Sequence, residues 1–142
     1  MAATVGYGDV EVGSTLPAVT LPVRRLDLVR YAGASGDFNV IHWNERIARS
    51  VGLPDVIAHG MLTMALAARV VTDWVGDPGA VMEYGVRFTR PVPVPDDDSG
   101  AVVEVVGTVA EKLADSRVRV DLVVTSGGQK VLGRAQAVVQ LR

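Results

Sequence analysis

A chain of 142 residues, 49% hydrophobic and 21% charged, has the size and composition of one globular domain spanning residues 1–142. Its formal net charge of -2 carries no basic footprint for nucleic acid, and the lack of cysteine excludes disulfides, thiol nucleophiles and thiolate metal sites together. The opening residues, MAATVGYGDV, show neither a basic start nor an apolar run, so the reading expects no signal peptide and a cytoplasmic protein.

In chain order, residues 1–15 end in a turn at Gly13, and residues 15–23 read as a weak strand that Pro17 and Pro22 confine to an edge. Asp27 is expected to cap a short helix over 28–34, which Gly33 and Gly36 stop. Residues 36–42, GDFNVIH, form a loop in which Asp and Asn favour local turns. Asn44 suits the N-cap of a second short helix over 45–51, with Gly52 and Pro54 behind it. Residues 58–76, AHGMLTMALAARVVTDWVG, form the longest apolar stretch. It reads as a helix that starts at Gly60 and stops at Gly76, before Asp77-Pro78-Gly79. Being apolar on most of its circumference, this helix should be wrapped by other elements, with Ala65, Ala67 and Ala68 letting a sheet come close. It carries Arg69 and Asp73 and falls short of the ~20 apolar residues that a membrane span needs. Residues 81–90 alternate, with Met82, Tyr84, Val86 and Phe88 on one face; Pro91, Pro93 and Pro95 then force the chain to an edge or out of the sheet. Residues 101–112, 117–126 and 131–141 read as further strands, the last two joined by a Gly127-Gly128 hairpin. The expected layout is an edge strand, helices, then four strands in meander: an α+β fold with an antiparallel sheet around one long central helix.

Residues able to do chemistry are few. The chain has two histidines, His42 and His59, and neither lies in an H-E-x-x-H or other metal spacing; G-x-G-x-x-G and P-loop motifs are absent. Gly33-Ala34-Ser35-Gly36 is one residue short of a nucleophile elbow, because Asp37 stands where the second glycine belongs. Asp37 and His42 lie five apart in one loop, so a carboxylate and an imidazole able to take and give a proton near neutrality could share a pocket. On spacing alone the plainer account is the stronger one: Asp37 caps a turn and His42 is solvated. Gly60 adds a helix-start N–H with no Cβ beside it, free for an incoming group.

The run Tyr31-Ala32-Gly33-Ala34-Ser35-Gly36-Asp37-Phe38-Asn39-Val40-Ile41-His42 resembles the signature of the MaoC-like dehydratases and R-specific enoyl-CoA hydratases, Y-A-x-x-S-G-D-x-N-P-x-H, with Val40 where proline is usual. Ala58-His59-Gly60-Met61 resembles the helix-start motif of the same family, in the same order. The stretches around His42-Trp43, residues 57–64, 74–81 and 84–89 look closer still to the catalytic B subunits of actinobacterial HadAB-type (3R)-hydroxyacyl-ACP dehydratases. The resemblance implies a hot-dog fold and the reversible loss of water from a 3-hydroxyacyl thioester. It implies Asp37 and His42 as the catalytic pair and the Gly60 N–H as oxyanion donor, with Asn39 and His59 in support. His59 would order the helix start, Asn39 would fix the loop through an Asx-type turn, and Ser35 would be structural. No metal and no organic cofactor is expected.

The implied partners are an acyl-ACP or acyl-CoA substrate and a homologous hot-dog subunit, as a heterodimer with a homodimer as runner-up. Nucleic acid and membrane are not expected partners. Arg87, Arg90, Arg117 and Arg119 could meet carrier phosphates, although a solvated strand face is the simpler account of each. The acyl tunnel would be lined by the central helix and the 81–88 strand. A hot-dog thioesterase would need a carboxylate at the start of the central helix, where Ala58, His59 and Gly60 offer none. A non-catalytic acyl-binding subunit would lack Asp37 or His42.

Overall fold

The computed structural model describes residues 3–142. Its elements are β1 (Val19–Val23), α1 (Arg25–Ser35), α2 (Glu45–Ser50), α3 (Gly60–Val75), β2 (Val81–Phe88), β3 (Ala101–Leu113), β4 (Arg117–Ser126) and β5 (Gln129–Gln140). The five strands form one antiparallel sheet in the order β1-β3-β4-β5-β2, with α3 packed on one face: the α+β hot-dog arrangement.

The sheet centre follows from strict alternation. Val118, Val120, Leu122 and Val124 of β4 all point into the core, as do Val103, Val105 and Val109 of β3 and Ala135, Ala137 and Val139 of β5. Each fully buried valine or leucine contributes about 1.5–3 kcal/mol of transfer free energy. Gly127 and Gly128 both take left-handed φ, 57° and 74°, as a two-residue turn matched to the strand twist requires. Against this sheet α3 buries Thr63, Ala67, Val70, Val71 and Val75. The approach is close at Gly107 of β3, where a Cβ would lie 3.1–3.2 Å from Leu16, Leu122 and Val70.

Several expectations are corrected. The last four strands are not a meander: β3, β4 and β5 are, but β2 pairs with β5 at the far edge. The proline-broken strap over 89–100 carries the chain back to β3, because alternate residues lack ladder donors. The strap is held instead by Val94 N–H to the Val56 carbonyl at 2.8 Å and Ala58 N–H to the Val92 carbonyl at 2.9 Å. Nor is α3 wrapped: Gly60, Met61, Ala65, Arg69 and Asp73 form an exposed stripe, since the single sheet covers one side. Of the three alanines only Ala67 meets the core fully. The alternation of β2 is interrupted by register shifts at Val81/Glu83 and Gly85/Arg87, which leave Met82 and Phe88 exposed. The first helix begins at Arg25, so Asp27 is the third helical residue; its carboxylate accepts the Arg24 N–H at 2.8 Å. Gly33 lies inside this helix and Gly36 caps it at φ 75°. The first strand starts only at Val19, with Thr15 making a lone bridge to Thr108. No helix among the described residues is long and apolar enough to cross a membrane.

Candidate active site

The loop between α1 and α2 is built by short-range hydrogen bonds. The Asp37 N–H donates to Ser35 Oγ (3.1 Å), the Asn39 N–H to Asp37 Oδ1 (3.1 Å) and the Ile41 N–H to Asn39 Oδ1 (3.2 Å). Such chained side-chain turns fix a loop without a ladder. The Trp43 indole N–H braces its far side on the Phe38 carbonyl at 2.9 Å. A 3₁₀ turn, Val40–His42, then aims His42 inward.

His42 is 7% exposed, and its Nδ1 stands 2.7 Å from the Ile57 carbonyl. A carbonyl only accepts, so neutral His42 carries its proton on Nδ1 and leaves a lone pair on Nε2. That Nε2 faces Asp37 Oδ2 at 4.0 Å, too far for a direct hydrogen bond and near enough for one bridging hydroxyl to reach both. The Asp37 side chain is half exposed and the His42 side chain is not. The gap thus lies between a buried base and an open carboxylate.

His59 lies beneath this pair. Its Nε2–H donates to the Asp37 backbone carbonyl at 3.0 Å, and its ring stacks on His42 with centroids 3.8 Å apart and a 24° tilt. The Tyr31 ring packs on it at 4.7 Å. Burial lowers the His59 pKa below 6.5, and the neighbouring His42 pushes in the same direction against the Asp37 carbonyl and carboxylate. At neutral pH His59 is uncharged, a prop under the loop. Its Nδ1 is buried without a hydrogen-bond partner.

Gly60 opens α3, so its N–H has no intrahelical acceptor and sits at the positive end of the helix dipole. It shares a cavity of about 290 Å³ with His42, Ile57, Ala58, Thr63, Phe88 and Arg90. The Phe88 ring stands 3.0 Å from where a Cβ on Gly60 would be. The structure therefore brings Asp37, His42, His59 and Gly60 to one corner, with Asn39 shaping the loop. Of the 81–88 strand, only Phe88 lines this cavity. A larger open cleft of about 630 Å³ runs over the other side of α3, past Tyr31, Leu62, Leu66 and Arg69, and contains neither Asp37 nor His42.

The geometry has close counterparts. Residues 10–127 match the family described as "MaoC like domain". The chain belongs to the MaoC-like dehydratase family. It is 33% identical over 137 residues to a 3-hydroxybutyryl-CoA dehydratase of Methylorubrum extorquens, covering 95% of this chain and 83% of that protein. It is 40% identical over 79 residues to 3-hydroxyacyl-thioester dehydratase X of Mycobacterium tuberculosis, covering 56% of this chain but only 27% of that protein's length. A solved structure of a MaoC-like dehydratase superposes with a TM-score of 0.95 at 42% identity, covering 99% of this chain and 43% of that one.

Within this MaoC-like domain, Asp37, His42 and His59 offer ligand atoms within 4.8 Å of one another. A single ion cannot lie in both imidazole planes at bonding distance, because the rings stack face to face instead of converging edge-on. Two of the four arginines are engaged elsewhere: Arg119 with Glu111 (2.7 Å) and Asp121 (3.2 Å), Arg117 with Asp115 (3.3 Å). Only Arg90 of the four lines the cavity. The sequence did not single out Thr63 or the Ile57 carbonyl that sets the His42 tautomer, while Phe88 lies in the strand expected to line the tunnel. Thr63 had a visible signal, a polar break in an apolar run three residues beyond Gly60 and so on nearly the same helix face. The approach of Phe88 to Gly60 had none, since it is a tertiary contact.

Proposed function

We propose that this chain is a (3R)-3-hydroxyacyl-thioester dehydratase, a hydro-lyase that converts its substrate reversibly into a trans-2-enoyl thioester and water. The observation that carries this reading is the 4.0 Å gap between the free Nε2 of His42 and the Asp37 carboxylate, with His42 also lining the cavity that holds Gly60. His42 Nε2 takes the C2 proton, and Asp37 accepts a hydrogen bond from the C3 hydroxyl. The C2–H electron pair becomes the C2=C3 bond as the C3–O bond breaks, and the proton on His42 passes to the departing oxygen. Positioned proton transfer of this kind is worth about 10²–10⁴ in rate. Charge that builds on the thioester oxygen meets the Gly60 N–H, a donor worth about 3–4 kcal/mol in the transition state. His59 holds the loop and stays neutral throughout.

The carrier in this reading is an acyl carrier protein in fatty-acid elongation, as the sequence resemblance implies. The CoA ester is the second reading, favoured by the 33% identity to a 3-hydroxybutyryl-CoA dehydratase along nearly the whole chain. The decisive experiment purifies the chain together with any homologous subunit that it retains, gives it matched 3R-hydroxyacyl esters of CoA and of a carrier protein, and follows enoyl thioester formation. Turnover on the carrier-protein ester at least ten times faster is the expected result; no turnover on either ends the dehydratase reading.

We further propose a cytoplasmic setting, compatible with the cysteine-free composition, and a dimer with a homologous hot-dog subunit. The support is the unpaired β2 edge, with Met82 57% and Phe88 56% exposed, and the exposed Phe38, Trp43 and Met61. Sedimentation at micromolar concentration with activity read on the same sample tests it: a fully active monomer refutes the dimer, and an active homodimer refutes only the homologous partner.

A further inference from the structure

Thr63 is 4% exposed, sits on the first turn of α3, and lines the cavity that contains His42 and Gly60. Its hydroxyl has one contact, to the His59 carbonyl at 3.5 Å, well beyond the 2.5–3.0 Å of an ordinary O–H···O bond. That carbonyl already accepts the Thr63 N–H at 3.1 Å. A buried hydroxyl with so poor an acceptor destabilises the fold, and a valine of the same shape would pack here without that cost. The other buried positions of this helix, Ala67, Val70, Val71 and Val75, are all apolar. Helical side chains lean toward the N-terminus, so the Thr63 hydroxyl leans toward the opening where the Gly60 N–H meets the cavity. Thr89, the other hydroxyl of this cavity, is exposed and donates to the Lys130 carbonyl at 3.3 Å.

We propose that Thr63 is a catalytic residue, the second oxyanion donor of the site. As the C2 proton passes to His42, the Thr63 O–H turns from the His59 carbonyl to the thioester oxygen and donates to it beside the Gly60 N–H. Thr63 keeps its own proton throughout and returns to the carbonyl when the enoyl thioester leaves. The proposal rests on the dehydratase reading and adds a donor to it.

The test compares Thr63→Val, Thr63→Ala and Thr63→Ser with the wild-type chain on the 3R-hydroxyacyl thioester that the wild type turns over best. Loss of one such donor lowers kcat by about 10²–10³. Both Val and Ala variants should lose kcat on that scale with KM within about twofold, Ser should recover most of it, and the melting temperature of Thr63→Val should not fall. The Ala variant keeps the question answerable if Val fails to fold. Wild-type kcat in Thr63→Val or Thr63→Ala overturns the proposal. So does a loss that Ser shares in full, which would assign the effect to the methyl group, and so does a rise in KM at unchanged kcat. If Asp37→Asn is inactive while Thr63→Val is not, the dehydratase reading stands and this proposal falls; a wild-type chain inactive on every thioester ends both.

Discussion

At the scale of single residues, the site separates holding from reacting. Asp37 has one oxygen tied to the Asn39 N–H and the other turned to the His42 gap, so its carboxylate is aimed before any ligand arrives. Asp37→Asn keeps that shape but weakens the acceptor, and His42→Ala removes the base. Each is expected to lower turnover at least 100-fold. Asp37→Asn should leave the melting curve unchanged, because Asp37 is half exposed and the loop is fixed largely by backbone donors; His42→Ala should also lower the melting temperature, because it empties a buried site and leaves the Ile57 carbonyl without its donor. Turnover within tenfold of wild type in either variant would remove that residue from the catalytic role. His59 carries a pH prediction. Its folded pKa is lowered from 6.5 by burial, so on acidification the unfolded chain takes up this proton first. Its contribution to stability is complete above about pH 6.5 and declines as pH falls below that value toward the folded pKa. Between pH 7.5 and 5.5 the melting temperature of the wild type should fall by more than that of His59→Gln; equal falls would acquit His59.

Among elements, the contact of α3 with the sheet is where a small change costs most. Gly107 lies under Val70, and a methyl group there meets three side-chain carbons at 3.1–3.2 Å, with Leu16 and Leu122 as the other two. Gly107→Ala should destabilise by about 1–3 kcal/mol through overpacking. Gly85 of β2 has nothing within 4 Å of its Cβ position, so Gly85→Ala serves as the matched control and should lose no stability. Urea midpoints of the two variants check this; equal midpoints would show that the helix–sheet seam has slack. A second tie joins α3 to β2, the Tyr84 hydroxyl donating to the Met64 carbonyl at 2.7 Å, with burial pushing the Tyr84 pKa up to about 12. The first helix has a tie of its own: the Arg25 guanidinium donates from Nε to the Val94 carbonyl at 2.6 Å and pairs with Asp55, joining α1 to the strap and to the approach to α3.

At the scale of the whole molecule, one sheet covers one side of one helix, and the other side of that helix stays open. Of the apolar side chains left exposed, Met82 and Phe88 lie on β2, and Met61, Phe38 and Trp43 lie near the candidate site; others are scattered over α1 and the outer face of the sheet. A strand edge with free donors and acceptors pairs with another edge unless it is blocked. A charge at its exposed start should block this one. Met82→Glu is expected to shift the sedimentation peak from dimer to monomer and to lower turnover with it, while leaving the circular dichroism spectrum unchanged. An unshifted peak would place the contact elsewhere.

What this chain determined by sequence alone was local. Strand alternation in 117–126, the paired glycines at 127 and 128, the Asn44 cap and the Gly76 stop depend on neighbours within a few residues, and each is found where the sequence put it. The MaoC-like motif likewise marked a loop whose hydrogen bonds run between residues two apart. Tertiary structure decided the rest. Whether β2 joined β3 or β5 depended on the path of a proline strap that local pattern does not encode, and the Met82 burial went with a bulge that only pairing creates. The tautomer of His42 was decided fifteen residues away by the Ile57 carbonyl, the support of Asp37 by a ring at position 59, and the wall over Gly60 by Phe88. Spacing in sequence tells which side chains share an element; a lone pair is aimed only when elements distant along the chain are packed together.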